Sequence, residues 1–382
     1  MCVITLLWAL KTGEARGIGK AMADLTDIQI SPLDSRHREL GARMLPFAGW
    51  EMPIQYEGIV AEHNAVRNSL GIFDISHMGQ VEISGVDSEK WLNGLLTNDV
   101  SALEDNGGQY TLMLNEGGGV IDDLILYREA ADRFFLVVNA SKIDEDVAWL
   151  TQNLTEGIEL KNYSDDFGAF AIQGPAAESA WEKVTAEWGA LPPRNGIVRL
   201  ENGRIIACRT GYTGEDGFEF FAPNAEIGKW WDAFVSAGAK PCGLGSRDSL
   251  RLEKCYPLNG SDLDPDHSPL EAGLGFFVKL EKGCEFTGSD VLKKQKTEGL
   301  SQRLVAIQVI GKAPPPRHGY GVADPATGEQ ISELTSGGLS PTLGKGIGLT
   351  YVPVGLTKIG TQLEIDVRGR RFPCEVVKKP MV

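Results

Sequence analysis

The amino-acid sequence predicts an α+β protein in three parts, the last of them a small antiparallel barrel or sandwich. Three observations carry that reading. A chain of 382 residues is too long for one ordinary core and long enough for two or three. Between residues 109 and 154, strand-like runs are followed by an amphipathic helix without regular βαβ alternation. Beyond a polar linker at 296–301, only short strand-like runs remain, separated by glycine, proline and polar turns.

Taken in order, the chain opens on an apolar run from Cys2 to Leu10, followed by Lys11, Arg16 and Lys20. The run is too short to span a bilayer, and its positive charge follows the apolar part, the reverse of a signal peptide. Residues 1–25 are read as a disordered or non-native extension; a mitochondrial-type presequence and a start at Met22 are the alternatives. An amphipathic helix is expected over 36–44, then an aromatic, glycine-broken loop over 46–53. Ile59, Val66 and Leu70 suit a helix stopped by Gly71. A strand over 72–75 leads into Ser76-His77-Met78-Gly79, where His77 is a candidate base, a hydrogen-bonded structural role being the plainer alternative. Asp87 stands where it could cap a helix carrying Trp91, Leu92, Leu95 and Leu96.

Strands follow over 109–115, 120–128 and 134–139, then a helix over 141–154 with Ile143, Val147, Leu150 and Leu154 on one stripe. The first two strands are joined by Gly117-Gly118-Gly119, a tight turn of residues that accept positive φ. Asp122 and Asp123 sit at the mouth of the second strand. With a pleat of period two, Asp123, Ile125 and Tyr127 share one face, and Leu124 and Leu126 the other. A carboxylate facing a buried sheet side marks a site; a solvated pair capping a hairpin is the alternative, and a turn or capping role falls to Asp122.

A strand over 167–172 is followed by a strand-turn-strand unit over 205–221, in which Glu219 stands among Phe218, Phe220 and Phe221. Alternation alone also permits an outward-facing Glu219. Ile227, Trp230, Trp231 and Phe234 make a core helix stripe. Arg247 and Arg251 stand one helical turn apart, either a fork for an acidic ligand or, for Arg247 with Asp248, an ordinary salt bridge. The last part holds strand-like runs over 304–309, 331–334, 347–352, 363–367 and 372–377.

A formal net charge of −15 argues against a nucleic-acid or membrane-surface binder. The six scattered cysteines form no C-x-x-C, and with five histidines they show a reduced, intracellular pattern without metal-ligand spacing, so no metal is expected. The sequence has no phosphate loop, no nucleophile elbow and no dinucleotide fingerprint.

Six ordered motifs then combine: Gly41 to Pro53, Phe73 to Gly79, Gly118 to Leu124, Arg209 to Glu219, Arg247 to Glu253, and Leu339 to Gly344. Together they resemble the aminomethyltransferase, or T-protein, family of the glycine cleavage system, over nearly everything from about residue 30 onward. The resemblance implies a three-domain ring: two intertwined mixed α+β domains (26–295) and a C-terminal antiparallel β-barrel (302–382). It implies an enzyme that releases ammonia from an aminomethyl group on the lipoyl arm of the H-protein and passes the one-carbon unit to tetrahydrofolate, giving 5,10-methylenetetrahydrofolate. The implied partners are therefore lipoylated H-protein and tetrahydrofolate, with no nucleic acid and no membrane. The implied compartment is cytoplasmic and bacterial-type, the mitochondrial matrix being the lesser alternative.

Position by position, the second aspartate of the Gly118–Leu124 motif is the implied catalytic group, Asp123, bonding folate near its reactive nitrogens and stabilising charge as the iminium-like carbon is captured. Glu219 and Arg247 match folate-contacting positions; Met78, Tyr110, Tyr127, Asn139, Tyr212 and Tyr256 are placed around the ligand. Aromatic and thioether faces suit stacking on a pterin and an aminobenzoyl ring. Lys282-Gly283-Cys284 resembles a motif of a related folate-binding group that assists iron–sulfur assembly, which is the alternative reading; Cys284 as a small core residue is the plainer one. Arg368, Arg370, Arg371, Lys378 and Lys379 are candidates for a basic face that meets an acidic carrier.

Overall fold

The computed structural model describes residues 28–382, so the extension expected at 1–25 lies outside the described residues. The chain begins with a three-stranded sheet, Gln29–Ile30 parallel to Trp50–Gln55, which pairs antiparallel with Arg43–Phe47. Two expectations are corrected here. The helix over 36–44 is only Asp34–Glu39, because Gly41 takes a φ of 73° and turns the chain into a strand. The loop over 46–53 is a hairpin, turning at Ala48 and Gly49 (φ of 49° and 82°). Pro46 lies on its edge strand, where a missing N–H costs least.

Two larger sheets follow, and the chain visits them alternately. Gly71–Asp74 joins a six-stranded sheet; Gly79–Ser84 through Glu159–Asn162 build a five-stranded one; Phe167–Gln173 returns to the first. Gly71 does not end a helix, as its sequence position suggests. It begins the strand and is small because a Cβ there would run into Val66 and Cys242. Strand alternation sorts the side chains. Tyr127, Phe135 and Val137 of the five-stranded sheet meet Phe73, Ala171, Cys208 and Phe221 of the six-stranded sheet in one shared core. The outer faces are covered by helices: Leu124, Leu126 and Leu136 pack on Trp91, Leu92 and Leu150, and Phe170, Phe218 and Phe220 pack on Trp181, Trp231 and Phe234. Asp87 precedes its helix but makes no side-chain cap bond.

The last part is a closed antiparallel barrel of Gln302–Val309, Lys345–Pro353, Gln330–Ser340, Gly321–Ala323, Gln362–Val367 and Arg370–Val377. The alternative of a sandwich is thereby decided. The three-residue strand Gly321–Ala323 escapes sequence reading because it is too short for a period to show. Helix Leu244–Glu253 bolts this barrel to the sheets. Arg251 donates to Asp262 (2.7 Å) and Ser336 (2.8 Å), and Glu253 accepts from Ser340 (2.5 Å) and Thr342 (2.9 Å). Two of the six motifs thus serve this joint. Among the described residues no helix is long and apolar enough to cross a membrane.

Candidate active site

The strand carrying the acidic pair is set by the turn before it. Gly118 has a φ of 79°, and Gly119 leaves no room for a Cβ against the Pro265 carbonyl. Asn115 closes the turn by accepting from the Gly119 N–H at 3.0 Å, and Val120 N–H donates to the Asp264 carbonyl. Strand Val120–Ala130 therefore starts pinned against the 257–268 segment, with the pleat phase fixed. Asp123 points with Ile125 and Tyr127 to the inter-sheet side, as the period-two reading expects.

Asp123 accepts from the Tyr110 hydroxyl at 2.9 Å and from the Asn139 amide at 3.1 Å, and the Asn259 amide lies within bonding reach. Tyr110 comes from the preceding strand; Asn139 stands just past the end of the following one, Arg133–Val138. Desolvation lifts the Asp123 carboxyl to about 7; the neighbouring charge of Asp122 adds to the rise, and the three donors oppose it. Asp122 is not the solvated turn group expected from the sequence. It is fully buried on the helix-facing side, where it accepts from the backbone N–H (3.1 Å) and amide (2.9 Å) of Asn139. The turn is already closed by Asn115, which leaves Asp122 inside the sheet.

A second cluster stands across Tyr212, whose phenol feels the charges of Asp123, Arg247 and Arg251. The Arg247 guanidinium lies over the Tyr212 ring, 4.9 Å from its centroid, and its Nη1 is buried without a partner. The Glu219 carboxyl faces inward, not to solvent. It accepts from Thr210 (2.8 Å), whose hydroxyl also meets the Tyr127 phenol at 2.6 Å. Burial pushes Glu219 up, opposed by Arg247 and Thr210. Arg251 is no second tine of a fork: its guanidinium is spent on Asp248, Asp262 and Ser336. Arg247 makes no salt bridge with Asp248, which pairs with Arg251 instead.

His77 lies buried with its Nδ1 unpartnered, edge-on to Phe47 at 5.6 Å. Burial lowers its pKa to about 4, Asp74 opposing and Arg247 assisting, so it is neutral at neutral pH. Met78, Tyr110, Asp123, Asn139, Tyr212 and Arg247 are all half-buried. Tyr256 sits at the rim, 39% exposed, its ring 5.9 Å from Tyr212; Tyr127 is wholly enclosed and reaches the cluster only through Thr210. A surface groove at Gln29, Ile30, Pro32 and Trp50 shares none of these residues, and its one carboxylate, Asp165, has no convergent partner. Cys284 is exposed, not a core residue, and its thiol meets the Asn93 carbonyl at 3.5 Å.

Known proteins resemble the chain along nearly its whole length. The GCVT N-terminal domain model matches residues 33–282, and the glycine cleavage T-protein C-terminal barrel domain model matches 302–382. The chain is 43% identical to an aminomethyltransferase of Anoxybacillus flavithermus, over 92% of this chain and 98% of that one. It is 44% identical to an aminomethyltransferase of Geobacillus kaustophilus, over 92% and 97%. The solved glycine cleavage system aminomethyltransferase T from Bartonella henselae superposes with a TM-score of 0.87 at 31% identity, covering 93% of this chain and 98% of that one.

The chain belongs to the glycine cleavage T-protein family of aminomethyltransferases.

Within that family the chain is an enzyme of the transferase class, acting in one-carbon transfer. Sequence reasoning singled out side chains whose types announce chemistry and passed over two that the structure places beside them. Asn259 bonds the Ile121 carbonyl at 3.3 Å and reaches Asp123, while its Oδ1 has no partner. Thr210 links Tyr127 to Glu219. Each lies in a turn with no periodic signal. Asn259→Leu is expected to raise the pKa of Asp123 by about half a unit, having removed one of three opposing donors. The pH–rate profile of the variant checks it.

Proposed function

We propose that this T-protein family member takes the aminomethyl group from the lipoyl arm of H-protein, releases its nitrogen as ammonia, and delivers the carbon to tetrahydrofolate as 5,10-methylenetetrahydrofolate. The observation that supports this most is the half-buried Asp123, cradled by Tyr110, Asn139 and Asn259 and facing an aromatic wall that ends in Arg247. Tetrahydrofolate as co-substrate supplies the nitrogens that receive the carbon. The unpartnered Arg247 Nη1, Asn259 Oδ1 and His77 Nδ1 fit a heteroaromatic ligand with both donors and acceptors.

Each residue then has work of its own. Asp123, poised near neutrality, accepts a proton from a folate nitrogen and stabilises positive charge developing beside it. Asn139 holds the carboxyl through its amide at 3.1 Å. Tyr212, Tyr110 and Met78 offer faces for stacking. Arg247, held against Tyr212 and near Glu219, is oriented for the polar edge or carboxylate of the ligand. Arg247→Met is expected to raise the folate KM by about tenfold with a smaller change in kcat; steady-state titration of tetrahydrofolate reads both.

The deciding experiment supplies aminomethylated H-protein and tetrahydrofolate and measures ammonia together with methylenetetrahydrofolate. Folate binding without either product would overturn the proposal. Because Asp123 acts as the ionised base and its pKa stands at about 7, the rate should rise with pH through that value. A profile flat from about pH 6 to 8 would count against it. The basic residues proposed for carrier docking fall into two separate groups. Arg368, Arg370 and Arg371 cluster at one end of the last strand, Lys378 and Lys379 lie beyond its other end, and Lys379 is largely enclosed near Cys255 and Asp262.

A further inference from the structure

Behind the site lies a carboxyl that the reaction as described does not use. Asp146 is fully buried in the first turn of helix Ile143–Gln152, and neither of its oxygens has a hydrogen-bond donor among the described residues. It occupies the inward side of the helix, between Ile143 and Leu150, which pack on the outer face of the five-stranded sheet. What it faces there is Asp122, within bonding reach. A carboxylate buried without donor or cation is strongly destabilising, and two carboxyls in contact away from water do not both ionise. One proton must therefore reside on the pair.

The surroundings say where. Asp122 accepts two N–H groups from Asn139, the backbone at 3.1 Å and the amide at 2.9 Å, and such donors favour the ionised form. Asp146 has none. The other charged groups acting on Asp146 are on its own segment: Glu145, and Lys142, which pairs with Glu145 at 2.7 Å. We infer that Asp146 is a positioning residue held as the neutral acid, which donates its proton to Asp122 and thereby sets the Asn139 amide on which Asp123 depends. In agreement, burial and the Asp122 charge push Asp146 up to about 11.

The consequence reaches the reacting group by two routes. Asn139 makes bonds to Asp122 Oδ1, to the Asp123 carbonyl and to Asp123 Oδ1 (2.9, 2.9 and 3.1 Å), so an Asp122 that loses its donor moves the amide. The charge on Asp122 also helps to raise Asp123, and a proton shared from Asp146 spreads that charge over two residues. Asp146 thus sets how much negative charge lies beneath Asp123. The inference rests on reading Asp123 as the functional carboxyl.

The test compares Asp146→Val with Asp146→Asn. Asparagine keeps a donor for Asp122 in the same place, whereas valine keeps volume without one. Valine should lower kcat roughly tenfold and move the ascending limb of the pH–rate profile up by about half a unit; asparagine should rescue both. Should the valine protein not fold, infrared difference spectra of wild type against Asp146→Asn read the proton directly. At about pH 9, where Asp123 is ionised, wild type retains the carbonyl stretch of one protonated carboxyl that the variant lacks. Absence of that band, or an asparagine variant as impaired as valine, or an unmoved limb in a folded valine variant, would overturn the inference. The infrared arm makes no reference to turnover, so its failure is separable from a failure of the Asp123 reading, which Asp123→Asn tests.

Discussion

Asp123→Asn is expected to lower turnover by roughly 10²- to 10⁴-fold, the range for loss of a positioned proton-transfer group, while folate affinity changes by no more than about threefold. The reasoning is local. Asparagine preserves the shape of the side chain, and Tyr110 still has an oxygen to which it can donate. It cannot take a proton or carry charge. Binding surfaces supplied by Tyr212, Met78 and Arg247 are untouched. Stability should rise slightly, because the wild-type carboxyl is held against its preference. The folded-state pKa, about 7, stands above the ordinary value of 3.8. The unfolded chain therefore releases this proton first, and stability declines as pH rises through that window. Asp123→Asn removes the decline. Thermal melts at about pH 5 and pH 8 should differ less for the variant than for wild type. Near-normal methylenetetrahydrofolate formation would sink the assignment. A variant that merely unfolded would show up in the melts, so the two outcomes are distinct.

The pair at the strand mouth shows what a sequence can and cannot disclose. Period-two alternation singled out Asp123 because the pleat is a property of neighbouring residues, and the turn at Gly118 and Gly119 fixed its phase. The same reasoning failed for Asp122. Its burial is created by helix Ile143–Gln152, which lies across that face, and no local pattern states which helix covers which side. The signal was present in one place only: Asp146 interrupts the apolar stripe of Ile143, Val147 and Leu150. Tyr127 illustrates the converse. It shares the face with Asp123 but spends its hydroxyl on Thr210, a residue 83 positions away. The barrel was legible from its glycine- and proline-bounded strands, whereas the hairpin at 43–55 was not, since its prolines read as loop. The two sheets' alternation along the chain depends on contacts between distant strands, and that came through the resemblance, not through periodicity.

The joint between helix Leu244–Glu253 and the barrel carries the largest expected effect on stability. The Glu253 carboxylate is fully enclosed and collects donors from three directions: Arg67 Nη2 at 2.9 Å, the Ser340 hydroxyl at 2.5 Å, and the Thr342 N–H and hydroxyl at 3.1 and 2.9 Å. His63 Nε2 adds a contact at 3.3 Å. Burial pushes this carboxyl up, yet His63, Ser340 and Arg67 together outweigh it and hold it at about 2. Glu253→Ala leaves a guanidinium, two hydroxyls and an amide N–H facing a void, and breaking such a buried pair costs about 3–5 kcal/mol. Glu253→Gln keeps one acceptor oxygen but turns an NH₂ toward groups that are themselves donors, so it should recover less than half of the loss. The sign of the pH dependence follows from the depressed value. The stabilisation is complete above the ordinary carboxyl pKa of 4.5 and drains away as pH falls from there towards about 2. Wild type should therefore lose stability between about pH 5 and pH 3 more steeply than Glu253→Ala. Denaturant unfolding at neutral pH and melts across that acid range measure both quantities. A loss under about 1 kcal/mol for the alanine variant would mean that the barrel is held on mainly by the Arg251–Ser336 bond and the apolar contacts of Leu252.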